Sequence, residues 1–225
     1  MITIGRKDGN IEKLSLTKIT QKTKGFPTHT VIGGEFAVAP DSDNVALKTL
    51  LGSCVALMFY DRKKKIKAMN HFLLPDTNDN SNDMKYGLYS VEAMLNEMYK
   101  LGCSKGNMIA KISGGADIMQ INMSAQSIGF RNVEFAKDFC KSEGFKLISE
   151  HTRGEHGRLI LLANDFEIFI KVTQKSETDS KILSEEKFLQ QEITKAPVIK
   201  EYVGGVELFG IDSKDAEPEM EIELF

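Results

Sequence analysis

"LKTLLGSCVALMFYDRKKKIKAMNHFLLPD", residues 47–76, holds two apolar runs on either side of a charged tip. Asp61 favours the first position of a turn and the lysines after it are at ease in solvent, so the stretch reads as a β-hairpin with Asp61–Lys64 as its loop. The arms are then 54–60 and 65–71, and Cys54 falls directly opposite His71. Opposed residues share a face, with Cβ atoms about 4.5–5.5 Å apart, close enough for a thiol to meet an imidazole. Val55, Leu57 and Phe59 share the other, mostly apolar face with Ile66, Ala68 and Asn70. A slip of two residues keeps these faces, whereas a slip of one would part the thiol from the ring.

Upstream, residues 1–30 are polar and mixed and read as a loose N-terminal arm. "VIGGEFAVA" (31–39) is β-rich, with Gly33 and Gly34 marking a bulge or a close backbone approach, and Pro40–Asn44 form a turn cluster. Downstream, the loop "TNDNSND" (77–83) offers helix caps at Asn82 or Asp83. Val91, Met94, Leu95, Met98 and Leu101 then recur at helical spacing over 84–101, and Gly102 suits the left-handed position after the last turn. "MIAKIS" (108–113) is a buried strand ending at Gly114-Gly115, and a second helix fits 132–142 with Gly144 after it. Strands follow over 145–152, 158–164 and 166–172.

The fold class is therefore α/β, a mixed and largely antiparallel sheet architecture with two main helices. The elements do not alternate as a regular βαβ array, which disfavours a doubly wound nucleotide fold. A folded domain over 31–173 is followed by an extension, 174–225, with a short surface helix around 183–194 and then an acidic tail. Within that tail Val206-Glu207-Leu208-Phe209 is echoed by Ile222-Glu223-Leu224-Phe225, either by chance or as a docking segment for a partner groove.

A net charge of −3 and a pI near 5.9 give no pull towards nucleic acid or an anionic membrane. No apolar stretch approaches the ~20 residues that span a bilayer, and the start "MITIGRKDGN" lacks a signal peptide's apolar region. Cys54, Cys103 and Cys140 are too few and too scattered for a disulfide framework, and no pair has zinc or redox spacing. A cytoplasmic protein without membrane insertion or a nucleic-acid partner is expected.

Two readings of Cys54 and His71 compete on spacing alone. A free cysteine is among the most buried residue types, and a strand histidine is commonly just a satisfied polar group. Alternatively, a free thiol with a pKa of about 8.5 is mostly protonated at neutral pH, and an adjacent imidazole can take its proton. The Gly52-Ser53 turn before the sulfur could then present backbone N–H groups to an oxyanion. Gly114 and Gly115 could allow close approach to a reacting carboxamide or make a plain turn. His29, His151 and His156 read as surface residues, Cys103 and Cys140 as packing thiols, and Arg131 and Asn132 as helix cap or site floor. "ISGGAD" lacks the Lys-Ser/Thr of a phosphate loop.

The strings carry more than their spacing. "TLLGSCVAL" and "NHFLLPD" resemble the signature of the CheD family, bacterial chemoreceptor glutamine deamidases. "KISGGADIM" (111–119), "IGFRNVEFAKDF" (128–139), "GEHGR" (154–158) and "GGVELF" (204–209) resemble further family motifs in the same order. The resemblance implies a sandwich fold akin to the toxin deamidases of the cytotoxic necrotizing factor type. It implies Cys54 as nucleophile, His71 as general base and an upstream threonine as the third member. Some members carry that threonine where this chain has Lys48, which makes Thr49 the candidate here. It further implies receptor glutamine and methyl ester hydrolysis without a metal or organic cofactor, chemoreceptor cytoplasmic domains as partners, and in some members binding to a CheC-type phosphatase. A purely regulatory binding module is the alternative.

Overall fold

In the computed structural model, residues 1–6, 8–74, 80–117 and 127–173 are described, together with Ser184, Lys187, Phe188 and Gln191. The chain divides into two units, Met1–Lys195 and Ala196–Phe225, and all described residues lie in the first. The elements are β1 (Ile2–Gly5), β2 (Ile11–Leu14), β3 (Lys22–Thr23), β4 (Phe26–Thr30), β5 (Phe36–Pro40), β6 (Ala46–Leu51), β7 (Val55–Asp61), β8 (Ile66–Asn70), α1 (Asn80–Lys100), β9 (Met108–Gly114), α2 (Ile128–Ser142), β10 (Lys146–Thr152), β11 (Arg158–Leu162) and β12 (Ile168–Val172).

Among the described residues the strands form a main sheet of order β10-β9-β7-β8-β5-β1-β2 and a second sheet of order β12-β11-β6-β4-β3. All neighbours are antiparallel except β9 with β10 and β4 with β6. The β7–β8 hairpin is buried on both faces, as its continuous apolar runs demand. One face packs under the helices: the Phe59 and Phe145 rings lie 4.7 Å apart, and Phe72 meets Phe135 edge-on at 5.5 Å. The other face, with Ala56, Met58, Tyr60 and Met69, meets Leu47, Leu51, Ile160 and Leu162 of the second sheet. The architecture is thus three layers, helices on sheet on sheet.

The hairpin turns as its sequence predicts, because the Asp61 carboxylate accepts from the N–H groups of Lys63 and Lys64, each at 2.8 Å. Its register is shifted by two from the expected one. Asp61 pairs with Ile66, Phe59 with Ala68 and Met58 with Met69, so the loop is 62–65 and the faces are preserved. Val91, Met94, Leu95 and Met98 are fully buried along α1, and Gly102 takes φ 80° beyond it. Asn82 and Asp83 lie inside α1, not at its cap.

Two further expectations are corrected. The stretch 1–30 is not a loose arm: β1 lies between β5 and β2, and Ile2 and Ile4 are buried in the core between the sheets. β4 likewise pairs with β6 along 28–30. Helix α2 starts at Ile128, four residues earlier than expected, because Ser127 caps it by accepting from the Phe130 N–H. Ser184, Lys187, Phe188 and Gln191 are helical within the predicted 183–194 helix. The rest of that stretch and both Leu-Phe segments lie outside the described residues.

Candidate active site

Alternation along β6 sends Leu47, Thr49 and Leu51 towards the main sheet and Lys48 to the opposite side. Thr49, fully buried, therefore meets the end of β8 across the gap between the sheets. Its Oγ1 lies 2.8 Å from the Val31 carbonyl and 2.9 Å from His71 Nδ1. A hydroxyl has one proton, and a carbonyl can only accept, so that proton goes to Val31. The Thr49 oxygen must then accept from His71, which puts the ring proton on Nδ1 and leaves Nε2 with a free lone pair.

His71 is fixed at the backbone as well. Its N–H donates to the Glu35 carbonyl at 2.9 Å, and its own carbonyl accepts from Gly34 at 2.8 Å. The residue is 8 % exposed. Burial pushes its pKa from 6.5 down to about 4, against the opposing pull of the Val31 backbone. At neutral pH the imidazole is thus uncharged, a proton acceptor in a dry setting.

Cys54 precedes β7 next to an isolated bridge in which Val55 and Phe72 exchange both hydrogen bonds at 3.0 Å. Cys54 and His71 flank that bridge diagonally. Both face the space between the sheets: Cys54 packs with Ala56, Met58 and Leu73, and His71 reaches Thr49. Diagonal neighbours of this kind stand about 7–8 Å apart at the backbone, within reach of an aromatic ring. Cys54 is 1 % exposed.

The three carbonyls leading into the sulfur are all held from one side. Ala116 N–H donates to Gly52 at 2.7 Å, Asn132 Nδ2 to Ser53 at 2.8 Å and Gly115 N–H to Cys54 at 2.8 Å. A Cβ on Gly114, at φ 118°, would sit 2.2 Å from the Cys54 carbonyl oxygen. The glycines let β9 close against the backbone of the turn that holds Cys54. The Gly115 N–H is engaged there and does not face an oxyanion.

Cys103 and Cys140 are buried, and burial pushes both thiols up to about 12, so they stay protonated at neutral pH. His151 is exposed, and Arg158, almost fully buried, donates to its carbonyl and to that of Arg153, fixing the β10–β11 loop. His29 lies within β4, partly buried. Among the described residues no group of three or more His, Cys, Asp or Glu is placed to hold a metal, and no helix is long and apolar enough to cross a membrane. Sequence reasoning missed the Val31 carbonyl, which no side-chain pattern can announce.

The comparisons with known proteins agree in direction. The family model "CheD chemotactic sensory transduction" matches residues 73–172. A Methanococcus vannielii protein named probable chemoreceptor glutamine deamidase CheD is 37% identical over 132 residues, 58% of this chain and 84% of that one. One of the same name from Stenotrophomonas maltophilia is 34% identical over 168 residues, 74% of this chain and 82% of its own. Among solved structures, the Bacillus licheniformis hypothetical protein YfiH overlays with a TM-score of 0.36 at 13% identity, covering 52% of this chain and 49% of that one.

Proposed function

The chain belongs to the CheD family, and from that premise we propose that it is a protein-glutamine deamidase acting on chemoreceptor cytoplasmic domains, with Cys54 as nucleophile and His71 as base. The observation that carries the reading is the Val31–Thr49–His71 chain, which leaves a neutral Nε2 on the face that Cys54 shares.

The steps follow from that tautomer. As the Cys54 sulfur bonds to the glutamine carboxamide carbon, Nε2 takes the thiol proton. The proton then passes to the amide nitrogen, the C–N bond breaks, ammonia leaves and a thioester remains. An imidazole held near pKa 4 returns its proton readily, which suits a poor leaving group. Water next attacks the thioester while Nε2 removes its proton, and the sulfur leaves as thiol with glutamate formed. The Gly52-Ser53 turn is our candidate for stabilising the oxyanion, its peptide planes fixed in advance by the held carbonyls. The same acyl chemistry would serve a methyl ester. Kinship with the toxin deamidases of the cytotoxic necrotizing factor type rests on the sequence resemblance alone.

The test is incubation with a purified receptor cytoplasmic domain. The expected result is ammonia release with a gain of about 1 Da on specific glutamine peptides, and neither with Cys54→Ala. Ammonia release by that variant at the wild-type rate overturns the assignment. A second role, binding a CheC-type phosphatase, rests on the sequence resemblance alone. It predicts that Cys54→Ala retains the partner in a pull-down.

A further inference from the structure

Asn132 lies in the second turn of α2 and is fully buried. Its Nδ2 donates to the Ser53 carbonyl and its Oδ1 accepts from the Leu74 N–H, both at 2.8 Å. The partners leave no choice of amide orientation, because a carbonyl only accepts and an N–H only donates. One short side chain therefore clamps the residue before the nucleophile to a residue three beyond the base. Of the three groups that hold the carbonyls of 52–54, it is the one that also grips the far side of the hairpin.

Its reach depends on how deeply α2 sits. A Cβ on Gly129 would lie 2.7 Å from the Gly115 carbonyl oxygen and 2.9 Å from that of Ala116, and one on Gly115 would lie 2.7 Å from the Gly129 oxygen. Helix and strand end thus meet backbone to backbone at Gly129, with the Val133 side chain packed on Gly115. That contact brings Asn132 close enough for a side chain with a single methylene to touch both loops.

The geometry points to Asn132 as a positioning residue for the Cys54–His71 pair, holding the two approach segments in one register so that the sulfur meets Nε2. The inference rests on the deamidase reading above. It places Asn132 in neither bond making nor proton transfer. Its influence falls on alignment, where a misplacement of about 1 Å costs on the order of 10²-fold in rate.

The test uses the full chain with Asn132→Asp, which keeps the acceptor for Leu74 and replaces the donor to Ser53 with a second acceptor. Two readouts are taken: iodoacetamide labelling of Cys54 against pH, and deamidation kinetics. The expected result is a folded variant whose Cys54 labels at least about tenfold more slowly at neutral pH, because the thiol no longer meets the base that takes its proton. Deamidation kcat falls about 10–100-fold while KM stays within about threefold. Phe139→Ala, about two turns farther along α2, lowers the melting temperature without slowing the labelling.

A folded Asn132→Asp that labels and turns over within about twofold of wild type overturns the inference. An equal slowing in Phe139→Ala at matched stability also overturns it. Should Asn132→Asp not fold, wild-type hydrogen exchange decides: the Leu74 amide must exchange as slowly as the strand core, and loop-like exchange overturns the clamp. A wild type inert in both labelling and deamidation removes the deamidase reading, and this inference with it. An active wild type beside an equally active variant removes the inference alone.

Discussion

The two ends of the β7–β8 hairpin carry polar clusters between the same two sheets, yet they are built on opposite electrostatic plans. At the tip, Lys67 is fully buried and charged partners surround it. Its ammonium donates to Asp41 at 2.9 Å and Asn164 at 2.7 Å, and the Tyr60 hydroxyl donates to Asp41 at 2.7 Å. The Asp165 N–H donates to the same carboxylate at 3.0 Å, and the Asn164 side chain reaches the Asp41 carbonyl at 3.2 Å. At the base, His71 is buried with a hydroxyl and backbone groups for company, and burial leaves it neutral. A buried ion pair fixes the sheets against each other, because breaking it strands a charge. A buried neutral imidazole has an unused lone pair, which is what proton transfer requires.

The contrast can be broken by exchanging effects between the ends. Cys54→Ala should abolish deamidation while leaving the denaturant midpoint nearly unchanged, as read by ammonia release and urea titration. At the tip the reverse holds: Asp41→Ala strands the Lys67 ammonium and should cost about 3–5 kcal/mol in urea unfolding. Activity per folded molecule should remain, and a large drop in kcat would mean the two ends are not separate.

The pH dependence gives the next effect. His71 has a folded pKa near 4 against 6.5 when free, so between these values the unfolded chain binds a proton that the folded chain does not. Stability therefore falls as pH drops from 6.5 to 4, by about 3 kcal/mol, and levels below that. His71→Gln should flatten this slope by that amount in equilibrium unfolding measured across the window. Smallest in size, and sharpest for the proton assignment, is Thr49→Val. It keeps the shape but removes the hydroxyl between the Val31 carbonyl and Nδ1, and should lower kcat about 10–100-fold, whereas Thr49→Ser should restore most of it. Equal losses in both would show that volume, not the hydroxyl, matters.

The sequence showed the hairpin because its signal is local, two apolar runs and an Asp-led turn within thirty residues. The same holds for α1 and for β9 to β12, each with its own periodicity or glycine stop. It concealed β1, whose only apolar side chains are Ile2 and Ile4 and whose partners are β5 and β2. A four-residue strand among charges acquires its meaning from pairing, not from pattern. The start of α2 was placed four residues late, and the missing side chain at Gly129 is what lets its first turn rest on Gly115. Cys54, His71 and Thr49 were legible as residue types through family likeness, and their roles remain a proposal. Asn132 was legible only as a helix cap or site floor, since its partners are 58 and 79 residues away and both are backbone groups.

The acceptor that orders Thr49 and, through it, the imidazole is the peptide oxygen of Val31. Side-chain replacement at position 31 leaves that oxygen in place, so the handedness of the proton relay is inherited from the chain's path and is shielded from most single-codon changes. Directed evolution of this site would retune reach and selectivity long before it could reverse which nitrogen does the accepting.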